Sequence, residues 1–331
     1  MHMSDALVST PVALTGAAVA VGLLAVAGRE VKKNDNTAMV PLMGVLGAFV
    51  FAAQMINFAI PGTGSSGHVI GGVLLAAFLG PWAAFITIAS VLIIQCLVFA
   101  DGGLLALGCN LINMGAMTTL VAYPFIYCPI AGKSHKPWRI ALAAVVACTV
   151  GLELGACLVT LETVLSRVSA LHWSDFLGIM AAIHLPIGLC EGLATAAVLA
   201  FVARNRPDLL RNVGRKPSRP HLKRAIIGFA VATVVIVGGV VWFASSSPDG
   251  LEWSIEQVAG VEELEPEAPT AVSVLAGKIS NTTSILPDYE NPLSGIIGAV
   301  IVLLIVWCIT AMLVHPRRDA RHGENGMHKD H

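Results

Sequence analysis

Long apolar runs parted by short polar breaks fill most of this chain, and that pattern decides its fold class before any motif is read. The runs lie at about residues 9–28, 38–57, 82–100, 104–126, 140–166, 177–203, 225–244 and 293–314. Each is near the roughly 20 residues a helix needs to cross about 30 Å of hydrocarbon. A ninth run, 69–80, is worth only about 18 Å of helix and stops at Gly80-Pro81, a natural break. Charged residues are 12% of the 331 positions and hydrophobic ones 56%, with a mean hydropathy of +0.77. A soluble domain carries about 25% charged residues. The expectation is an all-α integral membrane protein: a bundle of about seven transmembrane helices, then two more that flank an acidic extracytoplasmic loop.

Charge placement sets the expected topology. Arg29, Lys32 and Lys33 follow the first run and no Lys or Arg precedes it, which puts the N-terminus outside and residues 29–36 in the cytoplasm. If 69–80 also crosses, then of the 20 Lys and Arg residues only Arg167 and Lys278 fall outside. Without that crossing the later loops invert and the rule fails, so nine crossings are expected, with a cytoplasmic C-terminus. The first run lacks a basic segment ahead of it and reads as a membrane anchor, not a cleaved signal; Met1 is expected to survive, since His2 is bulky.

The basic stretch Arg204 to Arg224, with Pro207, Pro217 and Pro220, divides the chain. The expected parts are a membrane domain at 1–210, a basic cytoplasmic linker at 211–224, a two-span auxiliary domain at 225–315 and a cytoplasmic tail at 316–331. Between the last two spans, Asp249, Glu252, Glu256, Glu262, Glu263, Glu265, Glu267, Asp288 and Glu290 face only Lys278. Such a segment is either a solvated loop or an electrostatic collector of cations. The cysteines Cys96, Cys109, Cys128, Cys148, Cys157, Cys190 and Cys308 lie in or beside apolar runs, without a C-x-x-C pair, and read as packing residues.

The chemistry-bearing constellation is at the start. Met1-His2-Met3-Ser4-Asp5 offers an α-amine, the backbone nitrogen of residue 2 and an imidazole, which can chelate one metal in a plane. Planar nitrogen sets suit Ni(II) or Cu(II), and Co(II) with less preference. The candidate fourth ligand is His68, which ends the flexible stretch Gly62-Thr63-Gly64-Ser65-Ser66-Gly67 on the same expected face. Taken singly, a His beside an apolar run is more often a hydrogen-bonded packing residue. Asp101, Asn110 and Asn113 are candidates to support the ligands, although amides within spans also join helices. His184 and Glu191, two turns apart, read as packing polar groups hydrogen-bonded to a neighbouring helix, and Glu153 and Glu162 have no assigned role. His315, His322, His328 and His331 belong to a solvated tail. Gly16/Ala20 and Ala18/Gly22 are small-residue pairs that suit close helix contact.

The chain has no G-x-x-x-x-G-K-[ST] loop and no H-E-x-x-H, so neither nucleotide hydrolysis nor zinc proteolysis is expected of it. Three motifs then occur in order: Met1-His2 with Asp5-Ala6-Leu7, Gly62 to His68, and Phe99-Ala100-Asp101-Gly102-Gly103-Leu104 with Leu107-Gly108-Cys109-Asn110. Over roughly 1–210 the chain resembles the CbiM/NikM family, the substrate-binding membrane components of energy-coupling factor transporters for cobalt and nickel. His184 to Gly192 fits the family's later helix. Pro248-Asp249-Gly250-Leu251-Glu252 after Ser247 resembles the PDGLE domain, a two-span companion component.

The resemblance implies a metal site of Met1 amine, His2 nitrogens and His68 imidazole, in a substrate loop that includes Gly64, Ser65, Ser66 and Gly67. It implies a transmembrane coupling protein and ATP-binding cassette ATPases as partners, in a prokaryotic inner membrane. Co(II) or Ni(II) is then the transported substrate, with no resident cofactor, no enzymatic activity of the chain itself and no nucleic-acid partner. Affinity is expected to fall as pH drops through the titration of the ligand imidazoles. The rival readings are an autonomous secondary permease for divalent metals and a scaffold or sensor subunit that binds none.

Overall fold

The computed structural model describes residues 1–33, 39–134, 136–167, 171–211, 219–261, 264, 270–287 and 292–314. Glu262, Glu263, Glu265, Glu267, Asp288 and Glu290, linker residues 212–218, and the tail with its histidines lie outside them. The chain is an all-α integral membrane protein. Among the described residues, 7 helices are long and apolar enough to cross a bilayer. These are α1 (Thr10–Lys33), α4 (Pro81–Phe99), α5 (Leu107–Ala131), α6 (Pro137–Ser166), α7 (Trp173–Asn205), α8 (Arg219–Gly238) and α11 (Pro292–Val314).

The apolar runs 38–57 and 69–80 yield shorter helices than expected, α2 (Met39–Gln54) and α3 (Gly72–Leu79). Gly71 and Gly80 bracket α3 at φ +79° and +83°, backbone that favours glycine. Residues 69–71 belong to the preceding loop, so only 8 residues are helical, about 12 Å. All of them are buried, which keeps the polar ends of so short a helix away from lipid. A two-residue pairing of β1 (Phe58–Ala59) with β2 (Ser66–Gly67) folds the glycine-serine loop back on itself. In the acidic segment, α9 (Gly250–Ala259) and α10 (Ala271–Thr283) are helices where a loop was one expectation.

Glycines set the closest helix contacts. A Cβ on Gly188 would lie 2.9 Å from the Thr149 Cα, and one on Gly192 would lie 2.7 Å from the Val145 Cα. These two glycines form a G-x-x-x-G ridge that lets α7 rest on the α6 backbone, and His184 lies one turn further along the same stripe. Gly16 does the same for α1 against Cys109 and Gly108, and Ala20 is buried beside it. Of the second pair, Gly22 meets nothing within 4 Å. The auxiliary span α11 seats on α2, where a Cβ on Gly44 would lie 3.1 Å from the Leu303 carbonyl oxygen. Both parts of the chain therefore share one packed interior.

Candidate functional site

Three loops and the chain start converge at one end of the bundle. Residues 1–4 run inward to a 3-10 turn at Asp5–Leu7, with Met1 4% and Met3 0% exposed. Asn110 clamps this segment. The Met3 N–H donates to Asn110 Oδ1 at 2.9 Å, and Asn110 Nδ2 donates to the Met3 carbonyl at 3.1 Å. Asp5 accepts the N–H groups of Leu105 and Ala106 at 2.8 and 3.1 Å, fixing the turn that carries Asp101. Asn113 donates to Glu162 at 2.7 Å and reaches the Met3 sulfur at 3.6 Å, which gives Glu162 a bracing role.

The His2 and His68 rings face each other with centres 5.5 Å apart. Two imidazoles sharing one ion through bonds of about 2 Å have ring centres roughly 4.5–6 Å apart. His2 Nδ1 lies 3.4 Å from Asp101 Oδ1. The loop leaving His68 is held by buried amides: Gln54 Nε2 donates to the Ile70 carbonyl at 2.9 Å, and Gln95 Nε2 donates to Gln54 Oε1 at 2.7 Å. Glu191 accepts the Gly71 N–H at 2.9 Å. Contrary to expectation, His184 Nδ1 bonds within its own helix, 2.8 Å from the Met180 carbonyl, whereas Glu191 does reach a neighbour, at the N-cap of α3. A cavity of about 10 Å³ is lined by Met1, Gly67, His68, His184, Asp249 and Gly250 among others, close to the space that a single water needs.

The auxiliary domain closes this cavity. The Met1 ammonium donates to Asp249. Asp249 is also the N-cap of α9, accepting from Leu251 and Glu252 N–H groups at 2.7 and 2.9 Å, while Glu252 returns a bond to the Asp249 N–H at 2.9 Å. That reciprocal capping box explains the Asp-x-x-Glu spacing in Pro248-Asp249-Gly250-Leu251-Glu252. Ser66 N–H and Oγ donate to the Pro248 and Ser247 carbonyls, each at 2.8 Å. Gly250 lies against His184, since a Cβ there would be 3.1 Å from Nε2.

Electrostatics follow from burial. Desolvation, then the Met1 ammonium, lowers the His2 imidazole to about 3 and the His68 imidazole to about 4, so both are neutral with lone pairs available. Burial raises Asp101 to about 6. Burial also pushes Asp249 upward, but the Met1 ammonium outweighs it and holds this carboxyl well below the usual carboxylate range. Beside the cluster a larger cavity of about 320 Å³ is lined by His2, Asp5, Asp101, Asp249 and Glu252 among others.

Met1, His2, His68, Asp101 and Asn110 are thus brought together; Gly64 lies at the loop's outer bend at φ +78°. Asn113 acts one layer further in. Among the described residues no three His, Cys, Asp or Glu side chains converge as a metal-holding set, so main-chain nitrogen and the chain's amine would have to contribute. His184 was missed as a lining residue because spacing on one helix does not say what the helix faces. The Gly188/Gly192 ridge, which fixes that face, was the available signal.

The fold and the pocket define a polytopic membrane protein with a buried polar cluster at one end. Residues 2–209 match the family described as the cobalt uptake substrate-specific transmembrane region, and residues 223–315 match the PDGLE domain. The chain belongs to this family, in a form fused to PDGLE. It is 33% identical over 296 residues to the putative fused nickel transport protein NikMN of Archaeoglobus fulgidus, covering 87% of this chain and 91% of that one. It is 32% identical over 263 residues to the fused nickel transport protein NikMN of Rhodobacter capsulatus, covering 73% and 74%. The cobalt transport protein CbiM of Geobacter sulfurreducens is 29% identical over 287 residues, covering 81% and 80%. A crystal structure of a truncated transition metal transporter superposes with a TM-score of 0.54 at 30% identity, covering 62% of this chain and 99% of that one.

Proposed function

We propose that this chain captures cobalt or nickel ions at the outer face of a prokaryotic inner membrane, as the substrate-specific component of an energy-coupling factor importer. The observation that carries the reading is the convergence of the Met1 amine with two buried, neutral imidazoles, His2 and His68. The amine, the deprotonated His2 main-chain nitrogen and His2 Nδ1 close a five- and a six-membered chelate ring in one plane. His68 supplies the fourth nitrogen. Such a set favours Ni(II) or Co(II) over Mg(II) and Ca(II), which take oxygen ligands. The carboxylate-lined cavity beside His2 is the entrance, drawing cations in by its charge.

Transport itself needs partners. The chain has no nucleotide-binding loop, so a transmembrane coupling protein and separate ATPases provide the driving force, and the chain is not an enzyme. Release requires the N-terminal segment to part from His68.

The test is nickel and cobalt titration of detergent-purified protein with an untouched N-terminus, against the same protein carrying a short N-terminal extension. Stoichiometric binding that weakens at least about 100-fold in the extended form is the expected result, because Met1 is buried and its amine is both ligand and ion-pair donor. Equal affinity in both forms would falsify the chelate. The tighter of the two metals identifies the substrate.

A further inference from the structure

The opposite end of the bundle carries a cavity that metal capture does not use. It lies between the end of α7 and the start of α8, over Phe49 of α2, with a volume of about 420 Å³. That is within the roughly 300–1,000 Å³ of ligand sites. Its mouth carries Asn205, Arg206, His221 and Arg224, and its walls are apolar, among them Val198, Phe201, Phe229 and Ala232. No hydrogen bond or ion pair engages either guanidinium among the described residues. Asp208, the acid in contact with the mouth, accepts from His221 Nδ1 at 2.9 Å and does not line the cavity.

From this we infer that the groove binds an anionic phospholipid, its phosphate held by Arg206 and Arg224 and one acyl chain laid along the Phe201–Phe229 trough. The groove belongs to the lateral face of two membrane-spanning helices, and Phe201 is 67% exposed there. From Arg224 to Ala232 along α8 is about 12 Å, most of a leaflet's half of the ~30 Å hydrocarbon layer. Charge at the membrane edge with an apolar trough leading inward matches an amphiphile, and basic pockets between helices suit acidic headgroups. A partner helix would fill the trough but leave the two guanidinia without a phosphate. The lipid would brace α8, the first auxiliary span, against α7 of the metal-capturing part.

The experiment is native mass spectrometry of the full-length, detergent-solubilised protein with phosphatidylglycerol or phosphatidylcholine, and with inorganic phosphate as competitor. The expected result is preferential retention of phosphatidylglycerol, weakened about tenfold or more by Arg206→Gln with Arg224→Gln, and unaffected by phosphate. Because loss of charge alone can perturb folding, Gly228→Leu supplies an independent test. Gly228 lines the cavity and a Cβ there meets nothing within 4 Å, so a leucine side chain starts from open space in the groove and should also abolish retention, with nickel binding intact. Equal retention of both lipids, displacement by inorganic phosphate, absence of lipid adducts, or persistence of phosphatidylglycerol in either variant would overturn the assignment.

Discussion

Asp249→Asn separates the two tasks of the residue where the two parts of the chain meet. Asparagine caps a helix about as well as aspartate, so the bonds to the Leu251 and Glu252 N–H groups are retained and α9 keeps its start. What goes is the negative partner of the Met1 ammonium. In the proposed complex the amine and the His2 amide each give up a proton to admit a dication, so the net charge near Asp249 is +1 before and after loading. Long-range attraction to Asp249 is therefore similar in both states, whereas the donor is a full ammonium only before loading and a metal-bound amine with two N–H groups, a weaker partner, afterwards. A hydrogen bond to a charged group contributes about 1.5–3 kcal/mol and an ordinary one about 0.5–1.5; the variant forfeits both, because its Oδ1 stays with the Leu251 and Glu252 N–H groups and Nδ2, a donor, replaces Oδ2 opposite the amine. The metal-free state therefore loses about 1–1.5 kcal/mol more than the loaded one, so nickel affinity should rise about five- to tenfold. Isothermal titration measures it, with a lowered melting temperature of the metal-free protein as the companion readout. A tenfold loss of affinity would refute the reasoning and make Asp249 a ligand in its own right.

The other expectations concern the support of the site and its protons. Asn110→Ala strands the buried Met3 N–H, while the Met3 carbonyl keeps its bond from the Gly103 N–H; the cost is about 1–3 kcal/mol, and nickel affinity measured by titration should fall about tenfold or more. Gly67→Ala would put a methyl group 2.7 Å from Ile187 Cγ1 and push the His68 loop off α7, again weakening binding, with partial recovery in the Gly67→Ala/Ile187→Ala double variant. The imidazoles titrate near 3 and 4, not near 6.5, so above about pH 5 they have no proton to surrender. Loading should then release about two protons, from ammonium and amide, measurable by titration in buffers of different ionisation enthalpy; release of one proton would remove the amide from the ligand set. Since the folded values are depressed, the unfolded chain binds more protons below about 6.5. These two imidazoles make the metal-free protein less stable as pH drops from 6.5 towards 4, whereas Asp101, raised to about 6, acts in the opposite sense below that pH, so unfolding should take up fewer than two protons.

What the sequence disclosed depended on how local the physics was. Apolar length fixed the fold class, because a run such as 140–166 has no other way to be buried. The short run at 69–80 was read as apolar throughout, yet its first residues serve as loop, because Glu191 and Gln54 from elsewhere in the fold bind the main chain of Ile70 and Gly71. Met1, His2 and His68 were legible because their donor chemistry is unusual wherever they sit. His184, taken as a packing group, and Asp249, named within the Pro248–Glu252 motif, were not placed at the cavity, for a shared reason. Each is ordinary within its own segment, one a histidine in a long helix and the other the first residue of a capping box. Only packing brings them to the same cavity, through the Gly188/Gly192 ridge on one side and the Ser66 bonds to Ser247 and Pro248 on the other.

That packing gives a physical reason for the fused architecture. A buried ammonium without a carboxylate is costly to hold in place, and Asp249 is the residue that pairs with it. Asp101 is turned towards His2 and Asp5 towards the 105–106 turn, so the first part of the chain spends its nearby acids on other contacts. The auxiliary domain supplies the missing charge from a helix cap, a rigid element whose carboxylate is oriented by main-chain N–H groups. Closing the site and neutralising it are then one structural event, and movement of the segment around Asp249 would open the cavity and free the amine together.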